Sequence, residues 1–346
     1  MKMKLNFRLL TAVMMSAFIL CTPATDAANN IQGKSNSHRL KVGLVLGGGG
    51  AKGAAHAGAL RAIEKSGIPI DYIAGTSIGS IVGGLYACGY RSADIEKMFR
   101  SQEWISLLSD REMDYKKKII KKVGGTTYMF GFPIDHKGHN SANAKGFGAF
   151  RGDNVIELLD SMTGHRDSIN FNTLPIPFRC VAVDVKTLRE VILDRGELST
   201  AMRASMAIPG AFRPVVMGDS TLIDGGALNN LPVDVVRQMG ADVVIAIDLT
   251  QNKHESRNKT IKDRKTLSGR IIQWLKVRPD ITKYNNNRAN CDIYINPNLK
   301  GFDAASFVPE KIDTMIQRGI EAGEQALPQL IALKKKVLKS KQQHRK

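Results

Sequence analysis

Aromatic side chains are scarce in this sequence: 12 Phe, 7 Tyr and 2 Trp amount to 6% of its 346 residues. None of its basic runs is interleaved with Phe or Tyr as a base-stacking surface requires, so nucleic acid is not an expected partner. Cysteine is rare as well. The four are Cys21, Cys88, Cys180 and Cys291. Cys88 and Cys180 lie in apolar runs, where cysteine behaves as a small buried hydrophobe, and no disulfide framework is expected. No CxxC, HExxH or similar ligand spacing occurs, so no metal site is expected. Acidic residues are in deficit. Against 50 Lys+Arg there are 32 Asp+Glu, a formal charge of +18, and such a surface draws polyanions. With so few aromatics, anionic lipid is favoured among these over nucleic acid. The rest is ordinary: 43% hydrophobic and 24% charged residues suit a globular chain with a sizeable core.

Long apolar runs are missing too. Lys2, Lys4 and Arg8 precede an apolar stretch from Leu9 to Cys21, followed by the small-residue context Thr25-Asp26-Ala27. The stretch is shorter than the ~20 residues a membrane span needs, and the pattern is that of a secretory signal peptide over residues 1–27. Export to the periplasm or the medium is the expectation. Lipidation at Cys21 is disfavoured by the bulky Leu20 before it. A short linker over 28–39, one domain over 40–332 and a basic tail over 333–346 complete the expected organisation.

Apolar runs alternate with helical patterns along the domain. Strands are expected at Lys41–Leu46, Tyr72–Gly75, Phe178–Val183, Val191–Asp194, Val243–Asp248 and Asp292–Ile295. Helices are expected at Ala51–Ser66, Ile78–Cys88, Asn154–Met162, Leu198–Ala207 and Pro309–Gln329. This alternation predicts an α/β fold, a mostly parallel central sheet with helices on both faces. Two polar segments, Lys116–Phe150 and Gln251–Asn290, break the pattern and read as surface insertions.

Three short stretches carry the chemistry. Gly47-Gly48-Gly49-Gly50-Ala51-Lys52-Gly53 follows a strand and opens a helix, where glycines let backbone N–H groups point at an anion. Read as GxGxxG (Gly48, Gly50, Gly53), it also fits a dinucleotide fingerprint with Asp71 as the ribose acid, although Asp71 precedes its strand. Lys52 reads either as a positive charge beside a bound anion or as a solvated lysine at the start of the helix. The second stretch, Gly75-Thr76-Ser77-Ile78-Gly79, is a GxSxG at a strand-to-helix junction, the setting of a nucleophile elbow. The third, Asp224-Gly225-Gly226, places an acid at the end of an apolar run. The histidines after Ser77 (His136, His139, His165, His254, His344) lie in polar or Gly-rich stretches, or follow a helix end. His56 is expected to pack or hydrogen-bond within its helix. A carboxylate base is therefore considered for Ser77, with a helix cap or Asx-turn as the plainer reading of Asp224.

Taken together, GGGAKG (Gly48–Gly53), GTSIG (Gly75–Gly79), ASMAIPGAF (Ala204–Phe212) and DGG (Asp224–Gly226) resemble the patatin-like phospholipase family over about Val42–Leu249. The resemblance implies a patatin-like three-layer sandwich and a lipid acyl hydrolase of the phospholipase A or lysophospholipase type. It implies Ser77 as nucleophile, Asp224 as general base and an acyl-enzyme intermediate. The oxyanion would be held among Gly48, Gly49, Gly50 and Ile78, with Gly53, Gly75, Gly79, Gly225 and Gly226 as motif glycines and no cofactor or metal. The expected partners are an acyl-ester substrate and an anionic membrane surface. That surface would meet Lys116–Lys118 with Lys121 and Lys122, the Leu267–Val277 stretch with Trp274, or the C-terminal lysines. A dinucleotide-binding oxidoreductase and a catalytically idle lipid-binding protein are the alternatives.

Overall fold

A computed structural model describes residues 39–110, 121–123, 126–128, 148–166, 168–251 and 280–339. The expected signal peptide, Lys116–Lys118, the Leu267–Val277 stretch and residues 340–346 lie outside these residues, as do His136, His139, His254 and His344.

Side chains that point alternately to two apolar clusters explain the layers. Strand β1 (Val42–Leu46) is buried throughout, as is β7 (Val243–Ile247) beside it in parallel register. Val42, Leu44, Leu46, Val243, Ile245 and Ile247 face one apolar cluster, and Val45, Val244 and Ala246 face another. A strand covered on both faces reads as a continuous apolar run, which is why both are plain in the sequence. The first face is covered chiefly by α1 (Ala54–Ser66), α2 (Ile78–Ala87), α3 (Ser92–Ser101) and α9 (Pro309–Lys339). The other carries α7 (Val233–Gln238) and α8 (Ile281–Ala289). Helices α1 and α9 touch backbone to backbone, since a methyl on Gly58 would lie 2.2 Å from the Ile316 carbonyl oxygen.

The remaining strands of the main sheet are β2 (Tyr72–Thr76), β3 (Phe178–Asp184), β4 (Arg189–Leu193), β5 (Val215–Met217), β6 (Ser220–Asp224) and β8 (Ile293–Ile295). The path across the sheet is β5-β6-β3-β2-β1-β7-β8, with β4 also paired to β3. From β3 to β8 along this path the pairing is parallel; β4, β5 and β6 are antiparallel additions at the β3 end. The expected mostly parallel sheet between helical layers is observed, and the β5–β6 hairpin is the part the apolar pattern did not reveal.

Thr76 at the end of β2 pairs with Val181, and Asp224 at the end of β6 pairs with Ala182, the next residue. Strand β4 overlaps both partners, pairing Val181 with Ile192 and Ala182 with Val191, so it occupies the other edge of β3. Strands β2 and β6 therefore share one edge, run in opposite directions and meet tip to tip.

Two expected boundaries need correction. The segment Gln251–Asn290 is not wholly a surface insertion: α8 within it buries Tyr284 and Asn287. The basic tail does not begin at 333 either. Helix α9 runs through Pro328 to Lys339, because Leu330, Leu333 and Val337 continue the buried stripe of Ile316, Gly319, Gly323 and Ala326. Within Lys116–Phe150, the described pieces are an antiparallel pair, Lys121–Val123 with Thr126–Tyr128, and Gly148–Phe150 paired in parallel with Gly210–Phe212.

Candidate active site

Both loops of interest leave the carboxyl ends of adjacent parallel strands, the position where open α/β sheets gather their ligands. Strand β2 turns into α2 at Ser77, whose φ of 56° and ψ of −128° are unusual for a side-chain-bearing residue. The turn fits because Gly79 lies hard against β1: a methyl there would sit 2.1 Å from the Leu46 carbonyl oxygen. Strain of this kind persists only where surrounding contacts impose it. The Ser77 N–H donates to Ser205 Oγ at 3.0 Å, and Ser205 Oγ donates to the Val181 carbonyl at 2.6 Å. Ser205 ends helix α6 (Leu198–Ser205) and pins the elbow to β3.

The structure brings Ser77 and Asp224 together. Ser77 Oγ donates to Asp224 Oδ2 at 2.6 Å, and the Gly226 N–H donates to the other carboxylate oxygen at 2.7 Å. Both side chains are buried. Burial raises the Asp224 pKa to about 6, against the opposing pull of these two hydrogen bonds. A carboxylate tuned this way is a far better proton acceptor near neutrality than an exposed aspartate.

The glycine loop lies beside them. Its Gly50 has φ 59°, and a methyl there would meet the Ala304 carbonyl oxygen at 2.4 Å, so only glycine fits. One expected oxyanion donor is corrected: the Gly48 N–H already donates to the Asn230 carbonyl at 3.1 Å. The N–H groups of Gly49, Gly50 and Ile78 have no acceptor among the described residues. Ile78 is the first residue of α2, whose N-terminus adds positive potential.

His56 is fully buried beneath the loop, with Nε2 2.8 Å from the Gly47 carbonyl oxygen. Burial lowers its pKa to about 4, so the ring is neutral and Nε2 carries the donated proton. It does not face Ser77 as a base. His165, the other described candidate, sits after α5 (Asp153–Thr163) with a largely exposed ring 3.8 Å from Asp160. Lys52 Nζ donates to the Leu249 carbonyl at 3.1 Å, with Asp248 and Asp303 nearby to offset its charge; burial lowers its pKa. It is thus held by the chain while still lining a polar cleft beside Ser77. Asp71 is at the wrong end of the sheet for a ribose acid. It binds Arg39 at 2.6 and 2.7 Å and the Val42 N–H at 2.8 Å, at the start of β1.

Two cavities meet at Ser77. One, of about 270 Å³, is lined almost entirely by apolar side chains, including Ile81, Met98, Trp104, Val155, Leu159 and Phe212. Its wall is stiffened by Trp104, the first residue of α4 (Trp104–Ser109), stacked between Phe99 and Phe307 with centroids 5.2 and 5.0 Å away. Arg203, buried in α6, donates to the Arg151 and Arg213 carbonyls and lies over the Phe212 ring at 4.8 Å. The other cavity, of about 280 Å³, is polar: Lys52, Asp224, Asn230, Thr250 and Asp280 line it with the glycine loop. Ser77 borders both.

A family model described as Patatin-like phospholipase matches residues 44–237. The chain belongs to the patatin-like phospholipase family. Over 240 residues it is 34% identical to patatin-like phospholipase domain-containing protein 6 of Homo sapiens, covering 69% of this chain and 15% of that protein. Over 241 residues it is 33% identical to lysophospholipase nte1 of Aspergillus fumigatus, covering 66% of this chain and 13% of that protein. It thus spans about 15% or less of the length of these curated relatives. Among solved structures, VipD from Legionella pneumophila aligns over 84% of this chain and 67% of its own, with a TM-score of 0.53 and 14% identity, a likeness of fold. The matched span contains the glycine loop, the elbow and the DGG stretch. Ser205, Arg203 and Asn230 were not singled out by sequence pattern. Ser205 and Arg203 border or fall in the ASMAIPGAF block, and Asn230 follows DGG closely, which are the signals that point to them.

Proposed function

We propose that this chain hydrolyses fatty-acyl esters of phospholipids or lysophospholipids, with Ser77 as nucleophile and Asp224 as general base. The observation that carries the reading is the position of Ser77 Oγ, hydrogen-bonded to a buried carboxylate at the meeting point of an apolar and a polar cavity. The apolar cavity takes the acyl chain, and the polar one the glycerol and headgroup side. Asp224 accepts the Ser77 proton as Oγ attacks the ester carbonyl. The N–H groups of Gly49, Gly50 and Ile78 hold the oxyanion of the tetrahedral intermediate. Collapse expels the alcohol, protonated by Asp224, and leaves an acyl-Ser77. Asp224 then takes a proton from water, which attacks the acyl carbon; collapse of this second intermediate breaks the bond to Ser77 Oγ, which recovers the proton from Asp224 as the fatty acid leaves.

Lipid is presented at an interface, and the reading includes peripheral contact with anionic membranes. Helix α9 supports this within the described residues, since Lys335, Lys336 and Lys339 are exposed alongside Ile331 and Leu338. It also includes export after removal of residues 1–27, which N-terminal sequencing of the protein from its native host tests. The decisive experiment is fatty-acid release from mixed anionic phospholipid vesicles by the wild type, Ser77→Ala and Asp224→Ala. Release lost in both folded variants supports the reading. Wild-type release by either removes that residue from the mechanism.

A further inference from the structure

We infer that Asn230 is a positioning residue that aims the Gly49 N–H at the oxyanion. The inference rests on the proposed Ser77–Asp224 chemistry. Asn230 holds Gly48 from two sides: its carbonyl accepts the Gly48 N–H at 3.1 Å, and its Nδ2 donates to the Gly48 carbonyl at 3.3 Å. The Gly48 carbonyl and the Gly49 N–H belong to one planar trans peptide and point in opposite directions. Gripping the first therefore fixes the second, turned away from Asn230. The Gly49 N–H has no acceptor among the described residues, and Gly49 lines the same polar cleft as Ser77 and Asp224.

The space around Gly48 leaves little freedom to reorient. A methyl there would come 2.5 Å from Asn230 Oδ1 and 3.1 Å from Ser77 Cβ, so the loop is wedged between the two. Asn230 is itself held. Its Nδ2 also reaches Thr250 Oγ1 at 3.3 Å, and the preceding Asn229 accepts from Thr76 Oγ1 at 2.8 Å through its carbonyl. The Asn229 amide donates to Glu190 and Asp234 at 2.8 Å each, and the Asn229 N–H to the Gly225 carbonyl at 2.9 Å. The Asn229–Asn230 pair thus ties three things together: the loop after Asp224, the strand tip before Ser77 and the glycine loop. Each peptide dipole is set before substrate arrives, and preorganised donors of this kind need no rearrangement at the transition state.

The test uses the full chain with p-nitrophenyl butyrate as probe. Asn230→Leu keeps the branched shape without a donor, and Asn230→Ala removes the volume as well; Ser77→Ala is run beside them. The expected result is a fall in kcat of about 10- to 100-fold in both Asn230 variants, smaller than the roughly 100- to 1000-fold of losing an oxyanion donor outright, because the Gly49 N–H is misaimed and not removed. KM should stay within about threefold and the pH midpoint of kcat/KM should be unchanged. Labelling of Ser77 by a fluorophosphonate, whose phosphoryl oxygen occupies the oxyanion position, should slow by a similar factor. A folded Asn230 variant with kcat within about threefold of wild type would overturn the inference. So would a displaced pH midpoint, which would place the effect on Asp224, or failure of both variants to fold, which would make Asn230 structural. Hydrolysis surviving in Ser77→Ala would instead sink the Ser77 reading itself.

Discussion

Ser77 Oγ reaches Asp224 Oδ2 over 2.6 Å although 147 residues separate them, because β2 and β6 abut tip to tip on one edge of β3. Val181 and Ala182 are consecutive, so the register of a single strand sets the spacing of the pair. An antiparallel hairpin added to a parallel sheet thereby delivers a carboxylate to the carboxyl end of β2, where a further parallel strand would have brought its own loop.

The raised Asp224 pKa predicts an acid limb in the rate. The proposed base must be ionised, so kcat/KM for a neutral ester should rise with pH and level off above a midpoint near the value of about 6 that burial produces. A midpoint near 4 would mean that the carboxylate is not desolvated when substrate enters.

The same shift has a stability counterpart. The folded state holds the Asp224 proton more tightly than the unfolded chain, where the carboxyl has its ordinary value of 3.8, so this group's contribution is fully present below 3.8 and is lost as pH rises through about 6. His56 works the opposite way: depressed to about 4 from 6.5, it stabilises above 6.5 and that stability is lost as pH falls through 4. Asp224→Asn should therefore gain on the wild type by up to about 3 kcal/mol between pH 4 and pH 8. His56→Gln should be closest to wild type at acid pH. Urea unfolding of all three proteins at pH 4.5 and 7.5 gives the comparison, and parallel pH dependences would contradict both assignments.

Much of the site was legible because its requirements are local. The glycine loop and the elbow each demand particular residue types at a strand-to-helix turn, so spacing alone exposes them. Asp224 was legible only in their company, since the short strands of the β5–β6 hairpin carry little apolar pattern. Asn230 and Ser205 act on backbone atoms of distant segments, and nothing in their neighbours' side chains advertises that. Helix α8 was hidden for a different reason: Asn287 and Lys283 hold it through Asn229, Asp234 and Glu190, and a polar network leaves no apolar stripe. In α9 the lysines and Pro328 masked a stripe that does continue.

Backbone strain at the elbow is testable without any substrate. Ser77→Ala and Ser77→Gly both remove the nucleophile, but only glycine adopts φ 56°, ψ −128° without a side-chain penalty. Ser77→Gly should be more stable than Ser77→Ala by about 1–2 kcal/mol in urea titrations, even though glycine is the more flexible residue when unfolded. Equal midpoints would show that the turn is relaxed in solution.

The division of labour between the two cavities is open to a chain-length experiment. Val155 is buried on α5 and lines the apolar cavity, so Val155→Phe places extra carbon where the acyl chain is proposed to lie. Each methylene an apolar pocket accepts or refuses changes binding by about 1–3 kcal/mol. Turnover of a p-nitrophenyl palmitate should fall about tenfold or more, while the butyrate ester, whose far shorter acyl chain fills little of the cavity, should stay within about threefold. The small ester also reports on folding and on the Ser77–Asp224 pair. A loss shared equally by both esters would place the damage at the elbow instead, and an unchanged palmitate rate would move the acyl chain out of this cavity altogether.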